Sequence, residues 1–174
     1  MAQRLTTIRP ATPGDAAALA DFGARTFRDT FEADNTPENL ALYLASSYGA
    51  EIQATELRNP KILTLLAEHD GELAGFAQLR EGPAPSSIGG GASIELWRFY
   101  VGQAWQGRGI AQELMAVAGE AAVGRGAATM WLSVWERNHR AQAFYRKSGF
   151  EDRGEREFIL GADRQTDRIM AKIL

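Results

Sequence analysis

The sequence predicts an α/β (α+β) fold built on a mixed sheet of about seven strands, and three observations carry that reading. Short runs rich in apolar and β-branched residues recur along the 174 residues. Asp70-Gly71 separates two of them as a hairpin turn, which makes part of the sheet antiparallel. From Ile94 onward such runs alternate with helical patterns, the arrangement that pairs strands in parallel.

Leu5 to Arg9 reads as the opening strand, broken by Pro10-Ala11-Thr12-Pro13-Gly14, after which Asp15 caps a helix carrying Leu19, Phe22 and Phe27. Thr36-Pro37 is a cap followed by a proline at the first helical position, and Leu40, Tyr43 and Leu44 recur at helical spacing. Glu51 to Arg58 adds a further turn or two. Ile62 to Glu68 and Glu72 to Leu79 form the hairpin, and Gly82 to Gly91 is a flexible loop rather than a domain linker. Then come a strand at Ile94 to Val101, a helix at Gly107 to Arg125, a strand at Thr129 to Val134 and a helix at Asn138 to Ser148 ended by Gly149. Two strands close the chain, from Phe150 through Glu157 and from Thr166 to Ile173, across a loop at Gly161-Ala162-Asp163. Residues 1–174 read as one domain without internal repeats.

Composition excludes several function classes. There is no cysteine, hence no thiol nucleophile, thiolate metal site or disulfide, and only His69 and His139 offer imidazoles, so no metal is expected. A formal charge of -3 gives no long-range attraction to nucleic acid, and no apolar run is long enough to span a bilayer. Without a secretory signal pattern at Met1 to Thr6, a cytoplasmic location is expected.

Gln106-Gly107-Arg108-Gly109-Ile110-Ala111 joins a strand to a helix. The first N–H groups of a helix have no internal partners and point outward, glycines admit a bulky anion, and Arg108 adds a positive charge. A diphosphate suits such a turn. The turn lacks the Gly-Lys-Ser/Thr of a P-loop and a complete G-x-G-x-x-G with an acidic ribose partner. Taken alone it is equally a glycine-rich connection chosen for close packing.

A second segment sharpens the reading. Trp131 to Phe150, with Asn138, Ala141, Phe144-Tyr145 and Gly149-Phe150, resembles the closing motif of the GNAT superfamily of acyl-CoA-dependent N-acyltransferases, and Gln106 to Ala111 resembles that family's Gln/Arg-x-x-Gly-x-Gly/Ala signature. The resemblance runs from about Leu5 to Leu174 and is strongest from Ile94 to Phe150. Thr26 to Phe31 and Ile94 to Val101 are also similar to PaiA-type bacterial polyamine acetyltransferases. The resemblance implies a mostly antiparallel sheet with helices on both faces and a splay between two parallel strands. It implies acetyl-CoA as co-substrate: pantetheine along Phe99, Tyr100 and Val101, pyrophosphate on Gln106, Gly107, Arg108, Gly109, Ile110 and Ala111, Asn138 on the pantetheine arm, Tyr145 near the sulfur and Lys147 toward the nucleotide. A homodimer is expected on the same ground.

The chemistry needs a proton acceptor and a proton donor. An amine with a pKa near 10.4 costs about 4–5 kcal/mol to deprotonate at neutral pH. Glu95 is the candidate base, because strict alternation sets it on one face with Trp97, Phe99 and Val101; a bulge would break that parity, the residue equally suits an ion pair with Arg98, and water is an alternative relay. Tyr145 is the candidate acid for the departing thiolate, with a packed core tyrosine as the alternative. Asn138 equally suits a helix cap. Glu32, Asp34, Glu38 and Glu51 fall where GNAT members build the acceptor pocket, or form a solvated acidic surface. The expected function is acetyl transfer to a primary amine of a small molecule, a polyamine among the options, by direct attack in a ternary complex; amino acids, antibiotics and protein N-termini are other acceptors. A non-catalytic acyl-CoA sensor is the competing class.

Overall fold

Asp70 and Gly71 have positive φ angles of 52° and 83°, as a primed hairpin turn requires, and they join β2 (Ile62–His69) to β3 (Glu72–Arg80) in antiparallel register. The structure, a computed structural model, describes residues 6–174. β1 (Thr6–Pro10) pairs antiparallel with β2; Leu5, placed in this strand by the sequence, lies outside the described residues. β4 (Ser93–Val101) pairs antiparallel with β3 and parallel with β5 (Thr129–Trp135). The closing hairpin of β6 (Glu151–Leu160) and β7 (Asp163–Ile173) inserts β7 against β5, giving a seven-stranded sheet in the order β1-β2-β3-β4-β5-β7-β6. Its closing strands are longer than expected and meet at Gly161-Ala162, where Gly161 has a φ of 64°.

Among the described residues five α-helices cover the sheet. α1 (Ala16–Phe31), α2 (Pro37–Ser47) and α3 (Ala50–Arg58) lie on one face, with Leu19, Phe22, Phe27, Leu40, Leu44 and Phe76 in the core beneath them. α4 (Ile110–Gly124) and α5 (His139–Lys147) cover the other over Ile94, Leu96, Leu114, Met130, Leu132 and Phe150. Thr36 caps α2 as expected, its Oγ1 accepting the Asn39 N–H at 3.2 Å. Asp15 does not cap α1. Its carboxylate instead accepts the Thr12 N–H at 2.7 Å and two bonds from Arg9 at 2.9 Å, tying the helix start to β1. α3 covers the stretch foreseen at Glu51 to Arg58, beginning one residue earlier, and buries Gln53 and Glu56 in polar contacts. The Gly82 to Gly91 loop is anchored: Ala84 and Ile88 pack on Trp131, Ile169 and Ala171.

The feature that makes room for a ligand lies between β4 and β5. Only Ser93, Ile94 and Glu95 pair with Thr129, Met130 and Trp131; beyond them the two strands part. On the β3 side, Gln78 faces Arg98 while Leu79 faces Leu96, so Trp97 is an extra residue in β4. Such a bulge bends its strand and raises the local twist, which carries the end of β4 away from β5. Among the described residues no helix is long and apolar enough to cross a membrane.

Candidate active site

The parted strands open into a cleft of about 550 Å³ that passes from one face of the sheet to the other. Toward α4 and α5 its walls are Val101, Gln106, Ala111, Asn138, Phe144 and Tyr145. Toward α1 and α2 they are Phe27, Phe31, Tyr43, Trp135, Phe158 and Asp167.

At the first end stands the glycine turn. Gly107 and Gly109 have φ angles of 76° and 84°, and a Cβ built on either meets nothing within 4 Å. The left-handed backbone is what requires glycine here, and the space beside it is open. α4 begins at Ile110 rather than at Gly107, because two left-handed residues cannot propagate a right-handed helix. The free N–H groups of its first turn therefore lie at Ile110, Ala111 and Gln112. Gln106 donates from Nε2 to the Val101 carbonyl at 3.3 Å, fastening the turn to the end of β4, and Arg108 lies 5.1 Å over the Trp105 ring.

Asn138 caps α5, accepting the Ala141 N–H at 3.2 Å, and also lines the cleft. Tyr145 sits on the cleft-facing side of the same helix, with edge contacts from Phe99, Phe144 and Phe150. Burial pushes its phenol well above the ordinary value, so it stays protonated at neutral pH. Its hydroxyl has no hydrogen-bond partner among the described residues.

Glu95 lines the cleft, but the parity argument fails. The bulge at Trp97 leaves Ile94, Leu96, Phe99 and Val101 on the α4 face and turns Glu95, Arg98 and Tyr100 to the opposite one. Nor does Glu95 pair with Arg98. It accepts from Arg80 Nε at 2.9 Å and Nη2 at 2.6 Å, and Arg80 lies 3.9 Å over Trp97. Arg98 stacks 3.9 Å from the same ring while its Nη1 donates to Glu56 and Gln78, closing a buried network of α3, β3 and β4 beneath the cleft.

Phe99, Tyr100, Val101, Gln106, Ala111, Asn138, Tyr145 and Glu95 thus meet at one cleft, with Gly107 to Ile110 forming its flanking turn. Lys147 is exposed at the last turn of α5 and does not line it. Glu32, Asp34, Glu38 and Glu51 do not line it either; the acids that do are Asp29, Glu95 and Asp167. Sequence reasoning passed over Asp167. It occupies an inward position of β7 with Ile169 and Ala171, and one acid in that period-two apolar set was the available signal. Burial pushes its carboxyl up to about 6, with Glu136 adding to the rise and Arg156 opposing it. Among the described residues no cluster of metal-ligating side chains occurs.

The acetyltransferase (GNAT) family matches residues 24–150. An uncharacterised N-acetyltransferase from the pepI 3′ region of Lactobacillus delbrueckii subsp. lactis is 34% identical over 149 residues, 86% of each chain. An aminoglycoside N(6′)-acetyltransferase type 1 of Stenotrophomonas maltophilia is 32% identical over 84% of this chain and 86% of its own. Among solved structures, the PaiA N-acetyltransferase of Thermoplasma acidophilum in complex with coenzyme A superimposes with a TM-score of 0.79 at 22% identity, covering 98% of this chain and 99% of that one. The chain belongs to the acetyltransferase (GNAT) family. It is an acetyl-CoA-dependent N-acetyltransferase.

Proposed function

We propose that the protein acetylates a primary amine of a small molecule, with an aliphatic polyamine as the best-supported acceptor. The observation that carries this reading is the single cleft with a glycine turn and Tyr145 at one end and an aromatic chamber with Asp167 at the other. The residues fit acetyl-CoA: the turn at Gln106 to Ala111 presents free N–H groups to a diphosphate, Phe99 to Val101 and Asn138 border the path of the pantetheine, and the Ser133 hydroxyl in the same wall is buried without a partner. When bound, the co-substrate supplies an activated acetyl group.

The nitrogen of the acceptor forms the new amide bond as the carbon–sulfur bond breaks. Tyr145, which burial keeps neutral, gives its phenolic proton to the departing sulfur, and the proton lost by the amine restores the phenol through solvent. Glu95, held by both Arg80 bonds, serves better as the fixed anion of an ion pair than as a free base, which favours a water relay for that proton. The reading is tested by measuring thiol release from acetyl-CoA across a panel of polyamines, amino acids, an aminoglycoside and peptide N-termini. Turnover highest with polyamines is expected; no release with any amine would overturn it in favour of a non-catalytic CoA-binding protein.

A further inference from the structure

Asp167 plays no part in the chemistry above, and its surroundings are unusual for a carboxylate. It is 7% exposed, directly opposite Trp135 on β5 and Arg156 on β6. Opposed residues of an antiparallel pair share a face, yet among the described residues nothing hydrogen-bonds to this carboxylate or forms an ion pair with it. An unpaired buried acid destabilises a fold, so a partner supplied from outside the chain would relieve it. Of the other acids nearby, Arg80 holds Glu95 and Arg98 holds Glu56, while Asp29 at the cleft wall is exposed to solvent.

The walls around it are rings. Phe27 stacks on Tyr43 at 4.3 Å between centroids, Tyr43 meets Phe158 at 5.7 Å, and Phe31 meets Trp135 at 6.0 Å. Gln165 Nε2 donates to Asn35 Oδ1 at 2.7 Å, and the Ala162 N–H to Asn39 Oδ1 at 2.9 Å, so the closing hairpin is latched onto the helical side of this chamber. Asp167 also stands apart from Tyr145. The phenol belongs to the α4 and α5 side of the sheet and the carboxylate to the opposite side, with the splay between them.

We propose that Asp167 is the anionic seat for a second, non-reacting ammonium of the acceptor, so that the enzyme selects aliphatic diamines and polyamines over monoamines. This rests on the amine-acetylation reading and deepens it. An ammonium satisfies both kinds of wall at once, the carboxylate through a charge-assisted hydrogen bond and the ring faces through cation–π attraction. With one nitrogen held on the α1 side, a slender alkyl chain through the splay directs the other toward Tyr145.

The test compares thiol release with diaminohexane, spermidine and hexylamine at saturating acetyl-CoA. Wild-type kcat/KM is expected to favour the diamine over hexylamine by about tenfold or more, and Asp167→Asn to bring the two within about threefold through KM, with CoA affinity by calorimetry changed by less than about twofold. An intact preference in Asp167→Asn, or none in the wild type, overturns the proposal. Should the variant not fold, the wild-type pH profile decides. The groups facing Asp167 are Arg156 from β6, Glu136 beyond β5 and Tyr43 from α2. The diamine preference should fall as pH drops through about 6, and Arg156→Gln should move that fall to higher pH. A preference constant through that range counts against the seat. If no amine releases thiol, the acetylation reading fails by itself and thermal shift judges the seat. Stabilisation by diaminohexane beyond that by hexylamine, lost in Asp167→Asn, upholds it; equal shifts overturn it.

Discussion

The roles proposed for Tyr145, Glu95 and Asp167 are separable by single substitutions. Tyr145→Phe keeps the ring contacts with Phe99 and Phe150 and removes only the hydroxyl, so kcat is expected to fall by about two to three orders of magnitude while CoA affinity holds. Glu95→Gln is expected to lower kcat/KM by less than about tenfold, because a carboxylate bound twice by Arg80 is a poor base; a loss near a thousandfold would restore Glu95 as the proton acceptor. Asp167 has a stability signature of its own. Its carboxyl rises from an ordinary 3.8 to about 6 on folding, so the native state holds the proton more tightly than the unfolded chain. The neutral acid suits the fold below about pH 4, and ionising it as pH climbs through 6 destabilises the protein by about 3 kcal/mol at neutrality. Asp167→Asn should therefore raise Tm at pH 8 and change it little at pH 4, as read by thermal unfolding.

At the scale of elements, the splay depends on how β3, β4 and α3 are held together. A Cβ on Gly75 would stand 2.8 Å from the Tyr100 carbonyl and 3.1 Å from Val101 Cγ2, so Gly75→Ala pushes the β4 backbone where it borders the cleft. A loss of about 1–3 kcal/mol in urea unfolding, with weaker CoA binding, is expected. Beneath the bulge, Arg98 and Glu56 form an ion pair whose side chains are 6% and 11% exposed. Glu56→Ala strands a buried guanidinium and should cost about 3–5 kcal/mol. The bulge explains why strict alternation sets Glu95 on the wrong face while placing its strand correctly. A period-two pattern assigns faces only while the register is unbroken, and one inserted residue at Trp97 reverses every assignment beyond it.

At the scale of the whole molecule, the cleft passes through the sheet, and ligand binding at one end reports on the entire fold. Acetyl-CoA at about a hundred times its Kd should add about 2.7 kcal/mol to stability, visible as a rise in Tm; no rise would contradict the assigned co-substrate. The succession of strands and helices along the chain, the glycine turn, the Asn138 cap and Tyr145 on its helix were legible in the sequence. Each is written in neighbouring residues, as turn chemistry, capping or helical spacing. Only the tertiary structure decided that Glu95 faces the sheet side covered by α1 to α3 and is claimed by Arg80, and that Asp167 stands in the same cleft. The reason is physical: β7 comes beside the cleft by inserting between β5 and β6, and the period-two pattern of a strand marks which residues point inward but not which groups of other strands they meet there.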